Sequence, residues 1–212
     1  MRRIYDLSLT IQPQLPVWPG DEPVTVVQTS FTEQGDPCNL SHFKMSMHAG
    51  THVDLPLHFL GGGVDAAAAD LGKFTGRAVV VAIDGPAAAV GPEHLCHTAL
   101  AADDIVLLNI AANNALLTRE EFCRDFVYLS PAGAEYLIAQ GIKGVGINYF
   151  SVDRYGAPGS PVHHLLLGRE IMILEGLNLQ NIQSGVYQIY FFPLKFANGN
   201  GSPVRAVLMD WE

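Results

Sequence analysis

The sequence runs to 212 residues, 49% apolar and 16% charged, enough for one sizeable core in a single domain over residues 1–212. Its net charge of −9, with twelve Lys and Arg that form no run, argues against nucleic acid as a partner, because phosphate binding needs a basic patch. Three widely spaced cysteines (Cys38, Cys96, Cys123), an N-terminus without an apolar signal segment, and apolar runs such as Ala78 to Ile83 that are too short for a bilayer predict a cytoplasmic protein with neither a disulfide framework nor a membrane partner.

In chain order, Tyr5 to Ile11 and Val24 to Phe31 read as strands, separated by the turn-rich Pro16-Val17-Trp18-Pro19-Gly20-Asp21. From His42 to His48 the residues alternate, with Phe43, Met45 and Met47 on one side and His42, Lys44, Ser46 and His48 on the other. That is the period of a half-buried strand with His48 at its end. Arg77 to Ile83 and Asp104 to Ile110 are short continuous apolar runs, expected as buried strands, with a short helix opening at Gly91-Pro92 between them. Thr118 and Glu121 have capping-box spacing and predict a helix. Ser130-Pro131 starts another that stops at Gly141. Val145 to Asn148, Glu170 to Leu174, Val186 to Phe192 and Val204 to Met209 complete the strands. Helices alternate with strands in the middle and strands crowd both ends, which indicates an α/β or α+β domain with a mixed sheet.

The chemistry concentrates in His-Ala-Gly-Thr-His-Val-Asp-Leu-Pro-Leu-His, residues 48–58. His48 and His52 stand at helical spacing, but Gly50, Thr51, Val53 and Pro56 argue against a helix. A straight strand fails too, since four extended residues span about 13 Å and two ligands of one metal lie about 3 Å apart. The chain must bend between His48 and His52, and Gly50 permits it; Asp54 then follows His52 on the same face. Imidazoles with a carboxylate suit zinc or manganese, and an Asp can bridge two ions as easily as hold one. His48, His52 and Asp54 could complete a site on one metal; a second ion would need ligands from His163, His164 and Glu175. Glu175 ends the apolar run from Ile171, where a carboxylate is costly unless paired, protonated or metal-bound. His163 and His164 point different ways in any local structure, so only one serves. Gly61-Gly62-Gly63 follows as an expected loop at the mouth of the site.

These residues carry a resemblance. His48 to Phe59, Pro16 to Asp21, Ser151-Val152-Asp153, His163 to Leu177 and Gly201 to Ala206 together resemble the metal-dependent cyclase/hydrolase family, whose members include bacterial kynurenine formamidases and isatin hydrolase. The resemblance covers essentially the whole chain. It implies a swivelling β/β/α-like fold and two zinc ions per chain. His48, His52 and Asp54 would bind the first ion. Asp54 would bridge to a second, also held by His163, and Glu175 would contact both. The same resemblance makes His58 the catalytic acid/base and Trp18 a contact to substrate, although Trp18 read alone could equally be core. The activity implied is hydrolysis of an aryl formamide, N-formylkynurenine above others. The alternatives are a cyclic amide or lactone on the same site, and a non-catalytic metal-binding protein, against which the spare imidazole of His58 counts. Resemblance and apolar composition together predict at least a homodimer.

Overall fold

The computed structural model describes residues 3–211. Its strands are β1 (Ile4–Asp6), β2 (Thr25–Ser30), β3 (Leu40–Lys44), β4 (His52–Asp54), β5 (Thr75–Ile83), β6 (Ala89–Val90), β7 (Ile105–Ile110), β8 (Tyr128–Leu129), β9 (Gly144–Ile147), β10 (Met172–Glu175), β11 (Gly185–Tyr190), β12 (Gly201–Pro203) and β13 (Val207–Asp210). The helices are α1 (Pro92–Leu95), α2 (Ala111–Asn114), α3 (Pro131–Ala139) and α4 (Pro161–Leu167).

Nine strands form one mixed sheet in the order β1-β13-β11-β5-β7-β9-β10-β4-β12. The central run β5-β7-β9-β10 is parallel and the flanking pairs are antiparallel. Alternation along β5 and β7 splits the core in two. Val79, Val81, Ile83, Val106, Leu108 and Ile110 face one way, onto Leu137 of α3 and Leu166 of α4. Ala78, Val80, Ile105 and Leu107 face the other way, into a cluster with Val53, Leu174, Ile189, Phe191 and Leu208 from both ends of the curled sheet. Strands buried on both faces read as continuous apolar runs, which is why these two were legible in the sequence.

Several expectations are corrected. The first strand stops at Asp6: Leu7 donates to the Ala206 carbonyl, Ser8 bridges to Leu177, and the Leu9 N–H goes to the Thr51 hydroxyl, so the chain leaves β13 and crosses towards the loop after β10. The strand expected to end at His48 ends at Lys44, and all five of its residues are exposed. Among the described residues it pairs with β2 alone, in a two-stranded ribbon with no layer beneath it, so its alternation buries nothing. No helix forms at Thr118, whose hydroxyl donates to the Ala115 carbonyl; the Cys123 N–H, which a helix would turn back on Arg119, donates instead to the Tyr149 hydroxyl at 2.7 Å. The strand expected from Glu170 begins at Met172, because Glu170 (φ 55°) closes the end of α4 through its N–H to Leu167. The last strand begins at Val207 rather than Val204, and Gly201–Pro203, unread in the sequence because Gly and Pro disfavour strands, pairs with β4.

Candidate active site

Strand β4 lies between β10 and β12, with His52 opposite Glu175 on one side and Pro203 on the other. Two-residue alternation sends Val53 into the core and leaves His52 and Asp54 on the opposite face beside Glu175. The bend expected before His52 is present: Gly50 has φ 71°, and its carbonyl accepts from His52 Nδ1 at 3.0 Å. Gly176 (φ 68°) lets the end of β10 come close, since a Cβ there would overlap the Gly50 carbonyl oxygen. His48 sits in the turn before this bend and is half-buried. His58 ends a 3-10 turn begun by Pro56, and its ring stacks on that of His48 with centroids 3.9 Å apart. On α4, His163 turns inward and is buried, whereas His164 is exposed. The pair left open in the sequence is thus separated by the helix.

Four buried groups converge. His52 Nε2 stands 3.5 Å from Asp54 Oδ1 and 3.4 Å from Glu175 Oε2. His163 Nε2 stands 3.3 Å from Asp54 Oδ2 and 3.4 Å from Glu175 Oε1. Ligands about 2.0–2.1 Å from a tetrahedral cation are separated by roughly 3.3 Å, so these spacings suit groups that share a metal. His48 Nδ1 approaches Asp54 Oδ1 at 2.7 Å, and Asp54 Oδ2 is a buried oxygen with no hydrogen-bond partner among the described residues.

The outward ring nitrogens fix the tautomers of His52 and His163. His52 Nδ1 faces the Gly50 carbonyl, His163 Nδ1 the Asp153 carboxylate at 2.6 Å, and His48 Nε2 the Asn200 side-chain oxygen at 3.0 Å. His48 has an oxygen at each nitrogen, Asp54 being the nearer, whereas oxygen acceptors at Nδ1 of His52 and His163 favour a ring N–H there, which leaves their Nε2 lone pairs aimed at carboxylates. That arrangement is repulsive unless a proton or a cation lies between. Burial opposes a charge on His52, yet hydrogen bonds to Asp54 and Glu175 push its pKa up to about 10. Against the same burial, Asp153 with Asp54 and Glu175 raises His163 well above its usual value, while Asp54 and Glu175 are held below theirs by the histidines. Such a donor set fits a metal cofactor. His58 differs: burial, helped by His48 and His163 and opposed by Asp54, pushes it down to about 4, so it is neutral near pH 7. Its ring remains within ligand reach of Asp54 together with His48.

A cleft of about 350 Å³ opens above these groups, lined by Trp18, His48, His58, Phe59, Phe150 and His163 among others. Trp18 forms its wall, half-buried, with ring centroids 5.1 Å from Phe122 and 5.3 Å from Tyr155. The glycines 61–63 are not at this mouth: their loop folds back on Pro56 and Leu57 through Gly63 N–H to Leu60 and Leu57 N–H to Val64. Sequence reading gives no role to Asp153, although Ser151-Val152-Asp153 is among the segments that carry the resemblance, or to Asn200, because each acts on a histidine of another segment.

The sequence pattern of the cyclase family matches residues 5–154. The chain belongs to the cyclase family. This cyclase-family chain is 34% identical over 209 residues to a kynurenine formamidase of Erythrobacter litoralis (strain HTCC2594), covering 99% of its own length and 94% of that relative's. It superposes at TM-score 0.85 with 27% identity, both chains covered entirely, on a protein described as a potential metal-dependent hydrolase with cyclase activity. It matches isatin hydrolase A from Labrenzia aggregata at TM-score 0.85 and 25% identity, covering 100% of this chain and 94% of that one. Among the described residues no helix is long and apolar enough to cross a membrane.

Proposed function

We propose that the protein hydrolyses the C–N bond of an aryl formamide, converting N-formylkynurenine and water to kynurenine and formate. The observation that carries this reading is the 34% identity to a kynurenine formamidase over nearly the whole chain. The cofactor is Zn2+, two ions per chain, with Mn2+ also suited to imidazole and carboxylate ligands. His48, His52 and Asp54 would hold one ion, Asp54 and His163 the second, with Glu175 a ligand common to both. Once bound, the cations supply Lewis acidity, lowering the pKa of a water and polarising the formyl carbonyl. Trp18 offers its face to the aryl ring. His58, neutral near pH 7, accepts the proton released from water and delivers it to the departing aniline nitrogen, so the amine leaves uncharged. A homodimer in the cytoplasm completes the proposal, supported by the apolar composition and by Cys38, Cys96 and Cys123 being unpaired.

The likeness to isatin hydrolase A supports a second reading, ring opening of a cyclic amide or lactone on the same site. A panel of N-formylkynurenine, isatin and simple lactones, each assayed with and without a chelator, decides between them. N-Formylkynurenine should be turned over fastest, and the chelator should abolish the reaction. Opening of isatin with no formamide cleavage would favour the second reading. Full turnover by metal-stripped protein would overturn both.

A further inference from the structure

Two charged residues of opposite sign line the cleft and take no part in the chemistry proposed above: Asp21 and Arg154. Among the described residues neither side chain makes a hydrogen bond or an ion pair, with each other or with any third group. Both are nonetheless anchored to the walls of the site. The Asp21 N–H donates to the Trp18 carbonyl at 2.9 Å, so Asp21 sits one tight turn from the aromatic wall. Arg154 follows Asp153, the carboxylate that holds His163, and its own carbonyl accepts from the Ala157 N–H at 3.0 Å; the next residue, Tyr155, packs on Trp18 with ring centroids 5.3 Å apart, so the chain at Arg154 adjoins the same aromatic wall. Arg154 is exposed and Asp21 half-buried, so the charges stand at the rim while the buried carboxylates of Asp54 and Glu175 lie at the floor.

We infer that Arg154 and Asp21 bind the α-carboxylate and α-ammonium of an amino-acid head group, and so select a zwitterionic substrate over neutral ring compounds. This rests on the aryl-formamide reading and sharpens it. A substrate with its formyl group at the floor and its ring against Trp18 sends the side chain that carries the head group to the rim. There the planar guanidinium can take a carboxylate by two parallel N–H bonds, and a carboxylate can take an ammonium; charge-assisted bonds of this kind are about twice as strong as neutral ones. A neutral cyclic amide offers these residues only uncharged partners, without the charge-assisted pairs.

The test measures kcat/KM on N-formylkynurenine and on 2-formamidoacetophenone, the same aryl formamide cut off before the head group, for wild type, Arg154→Gln, Arg154→Lys and Asp21→Asn. In wild type the zwitterion should be preferred. Arg154→Gln should lower the ratio of the two kcat/KM values by about tenfold or more, mainly through KM, and Asp21→Asn should lower it in the same sense. Arg154→Lys, which keeps the charge but not the fork, should recover part of the preference. Neither residue is buried, and matching melting curves establish that the variants are folded. A ratio unmoved in both charge-removing variants overturns the clamp while leaving the hydrolysis intact. Wild type that cleaves neither formamide overturns the proposed function and the clamp with it.

Discussion

Asp153 Oδ2 lies 2.6 Å from His163 Nδ1, and the same carboxylate accepts the backbone N–H groups of Val162 and His163 at 3.1 Å. One buried side chain therefore caps the first turn of α4 and turns the His163 ring so that Nε2 faces Asp54 and Glu175. On the proposed two-ion reading, Asp153→Asn should weaken binding of one ion by about 10- to 100-fold, the usual cost of losing such a supporting carboxylate. Metal titration of the variant checks this; unchanged affinity for both ions would show that the ring is held without it.

His52 is buried between the two carboxylates, so His52→Ala should lose the metal together with nearly all hydrolysis. Elemental analysis of the purified variant reads the outcome, and full occupancy with normal turnover would refute the assignment.

His58 and His48 stack 3.9 Å apart, yet only His48 is assigned to the metal. His58→Ala should keep its metal while turnover falls by roughly 100-fold or more, the scale of lost general acid–base catalysis. Metal lost from this variant would make His58 a ligand, as its proximity to Asp54 would then require.

The proposed two-ion site, with Asp54 and Glu175 shared, predicts distinct stoichiometries. His163→Ala should lose about one ion per chain and Glu175→Gln should weaken both, because it removes a shared charge. His164→Ala should change little, since that ring is exposed beside Phe59. A wild-type protein that binds one ion at saturating zinc would leave the bridging role without support.

Without metal, His52 titrates at about 10 against an ordinary value of 6.5, so it carries its second proton at pH 7. A raised folded-state value means that this proton stabilises the metal-free fold fully below pH 6.5, and that the contribution is lost as pH rises towards about 10. Metal entry must displace the proton, so affinity should fall as pH falls. Calorimetric titration at pH 7 in buffers of different protonation enthalpy should register net proton release, and a buffer-independent heat would contradict it.

Residues 48–58 could be read as a metal site because the information is local: even spacing of His48, His52 and Asp54, a glycine able to bend between them, and β-branched neighbours that exclude a helix. The doubly buried strands β5 and β7 were legible for a similar reason, since burial on both faces leaves an unbroken apolar run. The same locality misled for β3, where alternation was real but no layer covers either face. At Thr118 the capping spacing was likewise real, but Tyr149 claims the backbone N–H that a helix needs. Only tertiary structure could decide which of His163 and His164 faces the carboxylates, that Glu175 stands opposite His52, and that Asp153 orients the His163 ring while Asn200 contacts His48. These facts follow from the pairing of β10 and β12 with β4 and from the docking of α4, contacts between segments far apart in the chain, to which no residue's neighbours in sequence bear witness.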